Sequence, residues 1–192
     1  MRKLLLGAVF TLLIAGSTAL FAQDKDHGEI GAFFDYNRIQ DINLNQFGFG
    51  GRIGFNVHPN VQLEAEGAYD FRRSTTASIP TAIPPTTYPA DFRTTLGVFG
   101  VKVHSTGPVR VFAVAKGGFV NFSVATPTNP PGFTNTINNI TDGDTHPVFY
   151  PGGGVEAFIK WFGVRAEVGD LMWFQNGSHN NLRLTFGPQI RF

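Results

Sequence analysis

The sequence predicts an all-β fold: an eight-stranded antiparallel up-and-down transmembrane β-barrel preceded by a cleavable signal peptide. Three observations predict it. After the first 22 residues, period-two alternation of apolar and polar residues replaces any helical periodicity. The alternating runs are joined by connections that are long and short by turns. Charged residues make up only 15% of the chain, with 20 phenylalanines, 23 glycines and no cysteine; a surface facing water normally carries about a quarter to a third charged residues.

The start of the chain reads as a leader. "MRK" is basic, "LLLGAVFTLLIAG" is apolar and "STALFA" is built mostly of small residues, the three-part plan of a secretory signal peptide. Cleavage is expected after Ala22, with Ser17-x-Ala19 as a second site. This leaves residues 23–192 as one barrel domain. The apolar run is short of the ~20 residues that span a bilayer as a helix, and no later run reaches that length. A net charge of +1 argues against nucleic acid as a partner.

Eight strands are expected, over roughly 28–37, 46–57, 61–72, 91–103, 109–122, 147–159, 162–173 and 181–192. In the second, Phe47, Phe49, Ile53, Phe55 and Val57 oppose Gln46, Gly48, Arg52 and Asn56. In the third, Val61, Leu63, Ala65, Gly67, Tyr69 and Phe71 oppose Gln62, Glu64, Glu66, Ala68 and Asp70. The fifth sets Val109, Val111, Ala113 and Ala115 against Arg110 and Lys116. The seventh sets Val164, Ala166 and Val168 against Arg165, Glu167 and Gly169. In the eighth, even residues such as Leu184, Phe186, Ile190 and Phe192 share one face, and odd ones such as Arg183 share the other. Glycines within strands fit a tightly curled sheet with a crowded inner face.

Short connections are expected at 58–60, 104–108 and 160–161, and longer ones at 38–45, 73–90, 123–146 and 174–181. Antiparallel pairing then gathers all long loops at one end and both termini at the other. Bacterial outer-membrane barrels have this asymmetry, with short periplasmic turns and long extracellular loops.

Alternation alone does not say which face meets solvent. The interior of eight strands is barely wide enough for side chains, and Phe47, Phe49, Phe55, Phe71, Phe186 and Phe192, with Tyr69 and Phe92, would overfill it. Placed outwards they form an apolar band. Phe34, Tyr36, Tyr69, Phe71, Trp161, Trp173 and Phe174 are then expected in interfacial girdles. The polar faces become a lumen charge network of Arg52, Glu64, Glu66, Asp70, Arg110, Lys116, Glu156, Arg165, Glu167 and Arg183. A three-residue turn at 58–60 places Val57 opposite Val61 and Arg52 opposite Glu66. A two-residue turn at 160–161 places Glu156 opposite Arg165, and opposite charges across a strand pair are favourable. A turn centred on 105–107 puts Lys102 opposite Arg110, which calls for a bulge there or for Lys102 snorkelling towards the short-turn end.

The stretches "GGGVEAFI", "FGVRAEVGDLMWF" and "LRLTFGPQIRF" resemble the small eight-stranded outer-membrane β-barrel family, the OmpA-like and OmpX-like transmembrane barrels, over residues 23–192. The resemblance implies that Leu184, Phe186, Ile190 and Phe192 form the terminal signal read by the barrel-insertion machinery. The expected partners are outer-membrane lipid and that machinery. A monomer with a structural or surface-contact role is expected, without cofactor, metal or catalytic residue.

Three alternatives are set beside it. A narrow channel would be gated by Arg52–Glu66 and Glu156–Arg165. A lipid-modifying enzyme would need Ser178, His179 and Asp170. A soluble periplasmic barrel would turn the charged face outwards. "DGD" at 142–144 with His146 has too few ligands at fixed spacing for a calcium or zinc site. His27, His58, His104, His146 and His179 are placed in turns, loops or the tail.

Overall fold

The structure, a computed structural model, describes residues 27–40, 43–79, 86–125, 136–137, 140–141 and 143–192. The predicted leader at 1–22 and the tips of the predicted loops at 73–90 and 123–146 lie outside them. The strands are β1 (Gly28–Ile39), β2 (Leu44–His58), β3 (Val61–Ile79), β4 (Thr86–His104), β5 (Val109–Ala125), β6 (Thr136–Ile137), β7 (Ile140–Thr141), β8 (Thr145–Ile159), β9 (Phe162–Phe174) and β10 (Ser178–Arg191). Eight of them close a barrel in the order β1-β10-β9-β8-β5-β4-β3-β2, and β6 and β7 form a separate two-stranded ribbon. Every barrel pair is antiparallel. Closure is made by the chain ends: Phe192 N donates to Gly28 O and Gly28 N donates to Phe192 O, each at 3.0 Å. A closed ladder leaves the barrel without an edge, so the backbone polar groups are paired within the sheet.

The alternation sorts the side chains into two environments. On β10, Leu182, Leu184, Phe186, Pro188 and Ile190 are exposed, while Asn181, Arg183, Thr185, Gly187 and Gln189 are buried. Below the long-loop rim the outer face is mostly apolar: Phe34 is 73% and Ile159 80% exposed. The inner face holds the charges, and Lys102, Lys116 and Arg183 are 0% exposed.

Arg52 pairs across the ladder with Glu66, and Glu156 with Arg165. Between β2 and β3 the turn is Pro59–Asn60, and the register shifts so that His58, rather than Val57, faces Val61. Val57 is the extra residue of a bulge.

Lys102 does not face Arg110. The β4–β5 register places Lys102 opposite Val114 and His104 opposite Phe112, while Arg110 lies opposite Glu156 on β8. The ladder continues past His104, with Ser105 N donating to Val111 O at 2.9 Å. Reversal falls on Gly107, at φ 114°, a conformation that glycine adopts readily, and on Pro108. No like-charge pair arises, and Lys102 needs no bulge.

Two connections expected to be long are tight. β1 and β2 pair up to Ile39↔Leu44, and β9 and β10 up to Phe174↔Ser178. Asn43 and Asn176 take the left-handed conformation these turns need, at φ 49° and 52°, which asparagine tolerates better than most residues. The expected loop at 73–90 is largely ladder, with β3 and β4 pairing out to Ile79↔Thr86. The threonines and Tyr88 favour extended backbone, and this preference outweighed the loop reading of its prolines and serines.

Phe92 and Trp173 point inwards, 0% and 1% exposed, against the expected outer placement. Each shares the parity of its strand's buried residues, Thr94 and Leu96 on β4 and Arg165, Glu167 and Leu171 on β9. Parity overrode position near a strand end for Trp173, and the overfilling argument for Phe92. Three histidines expected in loops are strand residues at the lumen: His104, His146 and His179.

Glycine makes room for the inward rings. A Cβ at Gly169 would stand 2.6 Å from two Tyr150 ring carbons and 2.7 Å from Pro151 O. Gly169→Ala is expected to cost about 1–3 kcal/mol through overpacking, read as a lower thermal midpoint in detergent. An unchanged midpoint would show that Tyr150 is not held there.

Candidate functional site

The lumen gathers residues of all eight barrel strands. Among the described residues its buried charges are six cations (Arg52, Lys102, Arg110, Lys116, Arg165, Arg183) and seven carboxylates (Glu29, Asp35, Glu64, Glu66, Asp70, Glu156, Glu167). Strand alternation points each of them inwards, and closure of the barrel brings opposite walls within ion-pair distance.

They form two linked sets. Towards the short-turn end, Lys102 Nζ lies 2.6 Å from Glu29 and 3.0 Å from Glu156. Arg110 lies 3.3 Å and 3.7 Å from the same two carboxylates. Gln189 Nε2 donates to Glu156 at 3.1 Å.

At mid-height Lys116 Nζ is held by Glu64 at 2.5 Å, Glu66 at 2.7 Å and Glu167 at 3.4 Å. Arg165 pairs with Glu64 through two nitrogens, at 2.5 and 3.2 Å, and also contacts Glu167. Arg52 reaches Glu167 at 3.3 Å and Glu66 at 3.6 Å, and donates to Thr185 Oγ1 at 3.1 Å. Arg183 bridges Asp35 at 2.9 Å and Glu66 at 3.0 Å. Asp70 accepts from Asn37 Nδ2 at 3.5 Å.

Rings pack among the guanidinium groups. Arg165 lies 4.1 Å from the Phe112 centroid and Arg52 4.4 Å from that of Phe33. Arg183 lies between Phe33 and Tyr150, at 5.4 and 5.1 Å. Such contacts strengthen when desolvated. Charges buried this deeply are tolerated only when paired and hydrogen-bonded, and the barrel supplies the pairing from facing walls.

At the long-loop end the charges give way to an aromatic cap. Phe92 meets Phe122 at 5.4 Å, Phe122 meets Trp173 at 5.2 Å, and His146 meets Trp173 at 5.1 Å. His179 stacks on Trp173 at 4.1 Å.

Of the residues singled out from the sequence, the structure joins nine into the two ion-pair sets and places Asp70 beside them, bound to Asn37. Sequence reasoning passed over Glu29, Asp35 and the ion-pairing role of Lys102. On β1 the parity of Gly31 and Phe33 was the available signal for Glu29 and Asp35, but Phe33 and Phe34 are adjacent rings and blur which face is apolar. Leu184, Phe186, Ile190 and Phe192 all lie exposed on the outer side of the closing strand.

The alternative chemistries are not assembled. Ser178 Oγ donates to Asn180 Oδ1 at 3.4 Å, His179 Nε2 lies 3.0 Å from Gln175 O, and Asp170 Oδ1 accepts from Asn181 N at 3.1 Å. The structure thus turns the three side chains to separate partners. Asp142 lies outside the described residues, and His146 stands 4.0 Å from Asp144. Glu64, Glu66 and Glu167 are the one group of three potential metal ligands among the described residues. All three carboxylates are engaged by Lys116, with Arg52 or Arg165 on each as well, so these cations already occupy the place a metal would take.

No family model matches the sequence, and no curated protein matches it. Similar solved structures do exist. Ail, the attachment invasion locus protein of Yersinia pestis, is 12% identical with a TM-score of 0.58, covering 88% of this chain and 100% of its own. The N-terminal β-barrel domain of Pseudomonas aeruginosa OprF is 14% identical with a TM-score of 0.56, covering 88% and 100%. Neisserial surface protein A is 13% identical with a TM-score of 0.61, covering 86% and 97%. The chain, a closed eight-stranded antiparallel barrel, has the fold of the small eight-stranded outer-membrane β-barrels.

Proposed function

We propose that the chain is an integral outer-membrane protein, exported by a leader removed after Ala22, that holds surface-exposed loops on a barrel closed to solutes. The observation that carries this reading is the division of faces. A soluble barrel would place its charges outside, whereas here the outer wall is phenylalanine, isoleucine and valine and the ions neutralise one another within. A hydrocarbon solvent makes that arrangement favourable; water would not. The lumen is filled by the paired set and the aromatic cap, as suits an anchor rather than an open pore, since large water-filled channels need about sixteen strands.

Surface contact is supported by the β3–β4 ribbon. β2 leaves β3 after Gly48↔Asp70, and β5 leaves β4 after Asp91↔Ala125, while β3 and β4 continue paired to Ile79↔Thr86. The ribbon runs on by about 20 Å at ~3.4 Å per residue. The outer face of β10, with Leu184, Phe186, Ile190 and Phe192, is the surface we assign to the insertion machinery.

Cell fractionation tests the location. The protein should enter the outer-membrane fraction with Gln23 at its N-terminus, and recovery in the soluble periplasm would refute the reading. Deleting 73–90 should leave a barrel that still migrates faster unheated than boiled. Loss of that heat-modifiable form would make the ribbon part of the barrel's stability rather than a displayed element.

A further inference from the structure

We propose that the outer wall of β1–β4, at its long-loop rim, binds the phosphate of a phosphorylated lipid headgroup. This rests on the outer-membrane reading above and adds a site to it.

The rim is asymmetric in charge. Arg38 on β1, Arg72 on β3 and Arg93 on β4 stand on the outer side at the same end. On β5, β8, β9 and β10 the outer face at that end offers Asn121, Ser123, Thr145, Asp170, Met172 and Asn180 among the described residues, with no lysine or arginine.

Each arginine is one step beyond an aromatic girdle. Arg38 follows Tyr36 on the outward parity of β1, where Tyr36 packs on Phe47 at 5.2 Å. Phe49, Tyr69 and Phe71 continue the girdle, with centroids 5.6 to 6.4 Å apart. Arg93 lies 5.7 Å above the Tyr69 ring.

Their hydrogen bonding leaves donors to spare. Arg72 lies 3.4 Å from Asp91, whose other oxygen accepts from Ser74 at 2.9 Å, and its side chain is still 55% exposed. Arg38 donates to Asn43 Oδ1 at 3.4 Å. A guanidinium holds five donors in a fork that matches phosphate, so a single carboxylate or amide oxygen does not saturate it.

Depth selects the ligand. Girdle aromatics mark the boundary between hydrocarbon and headgroup, and a cation one step outside that boundary meets headgroup phosphates rather than acyl chains or bulk anions. An apolar groove begins beside this patch, between Tyr36, Phe47, Leu184 and Phe186, and runs away from it across β10 to Val168 and Val155 on β9 and β8, where acyl chains of the same lipid can lie.

The test uses the mature protein in phosphatidylcholine nanodiscs, with native mass spectrometry counting retained lipid A in its bis-phosphorylated and dephosphorylated forms. Each arginine near an anionic lipid surface contributes about fivefold. The triple variant Arg38→Gln, Arg72→Gln, Arg93→Gln should therefore lose about a hundredfold in retention of the phosphorylated form, and Lys160→Gln, at the opposite rim, should lose none. Equal retention by wild type and triple variant overturns the proposal. So does retention of the dephosphorylated form as strong as that of the phosphorylated one. Displacement by inorganic phosphate at equal concentration would assign the arginines to free anion and overturn the lipid assignment. Heat-modifiable migration of wild type and variant is read in parallel. If it is intact while retention is unchanged, only the lipid site falls; if wild type itself forms no detergent-resistant barrel, the outer-membrane reading falls with it.

Discussion

Replacing Arg183 by alanine is expected to destabilise the barrel by about 3–5 kcal/mol, the usual cost of leaving a buried charge without its partner. Arg183 is the one ion-pair partner of Asp35 among the described residues, and it also holds Glu66. Glu66 keeps Lys116 and Arg52 when the guanidinium is lost, but Asp35 keeps no ion pair. The Phe33 and Tyr150 rings lose the cation between them as well. The measurement is equilibrium urea unfolding in phospholipid vesicles. Exchanging the pair for apolar residues, Asp35→Leu with Arg183→Met, should recover most of the loss, because no buried charge is then left alone. A single variant as stable as wild type would mean that water reaches this part of the lumen freely.

The second large effect lies on the other face. Val168→Arg puts a charge on the outer wall of β9, in the ladder row of Leu184 and Gly153. A cation on the lipid side costs about 2–4 kcal/mol at the bilayer midplane and about 0–1 near the interfaces. Ile159→Arg, beside the Lys160–Trp161 turn, should fall in the lower range. The difference between the two sites is the informative quantity. A water-facing wall would make both substitutions nearly neutral, since isolated surface changes usually lie within about ±0.5 kcal/mol.

How much of this was legible in the sequence varies by element. β2 and the first part of β3 could be assigned a face because charges and rings keep to opposite parities there, as in Glu64 and Glu66 against Tyr69 and Phe71; on β9 Arg165 and Glu167 against Val164, Ala166 and Val168 gave the same signal. Where a turn was short and its length plain, as at Lys160–Trp161, register and the Glu156–Arg165 pairing followed from it. The β4–β5 turn misled because Pro108 and Gly107 shift the pivot beyond the apparent centre, and the supposed Lys102–Arg110 clash vanished with that shift. Trp173 was placed by proximity to a strand end and Phe92 by the argument that it would overfill the interior, when parity was the stronger signal.

The contacts of the lumen itself were beyond local reading. Lys102 and Glu29 belong to β4 and β1, strands that are not neighbours in the sheet. Their meeting depends on closure and stagger of the whole barrel. Parity says that a side chain points inwards; it does not say which inward side chain it will touch.

Which face meets lipid can be read directly along β10. The chain has no cysteine, so single cysteines at Leu182, Leu184, Phe186 and Ile190 can carry nitroxide labels without background. Collision with dissolved oxygen and with a water-soluble nickel chelate is then measured on the folded protein in phospholipid vesicles. The account predicts high oxygen and low nickel accessibility at all four positions, with the contrast greatest at Leu184 and Phe186 and weaker towards the ends. Nickel accessibility high at Leu184 and Phe186 would place that wall in water and contradict the account.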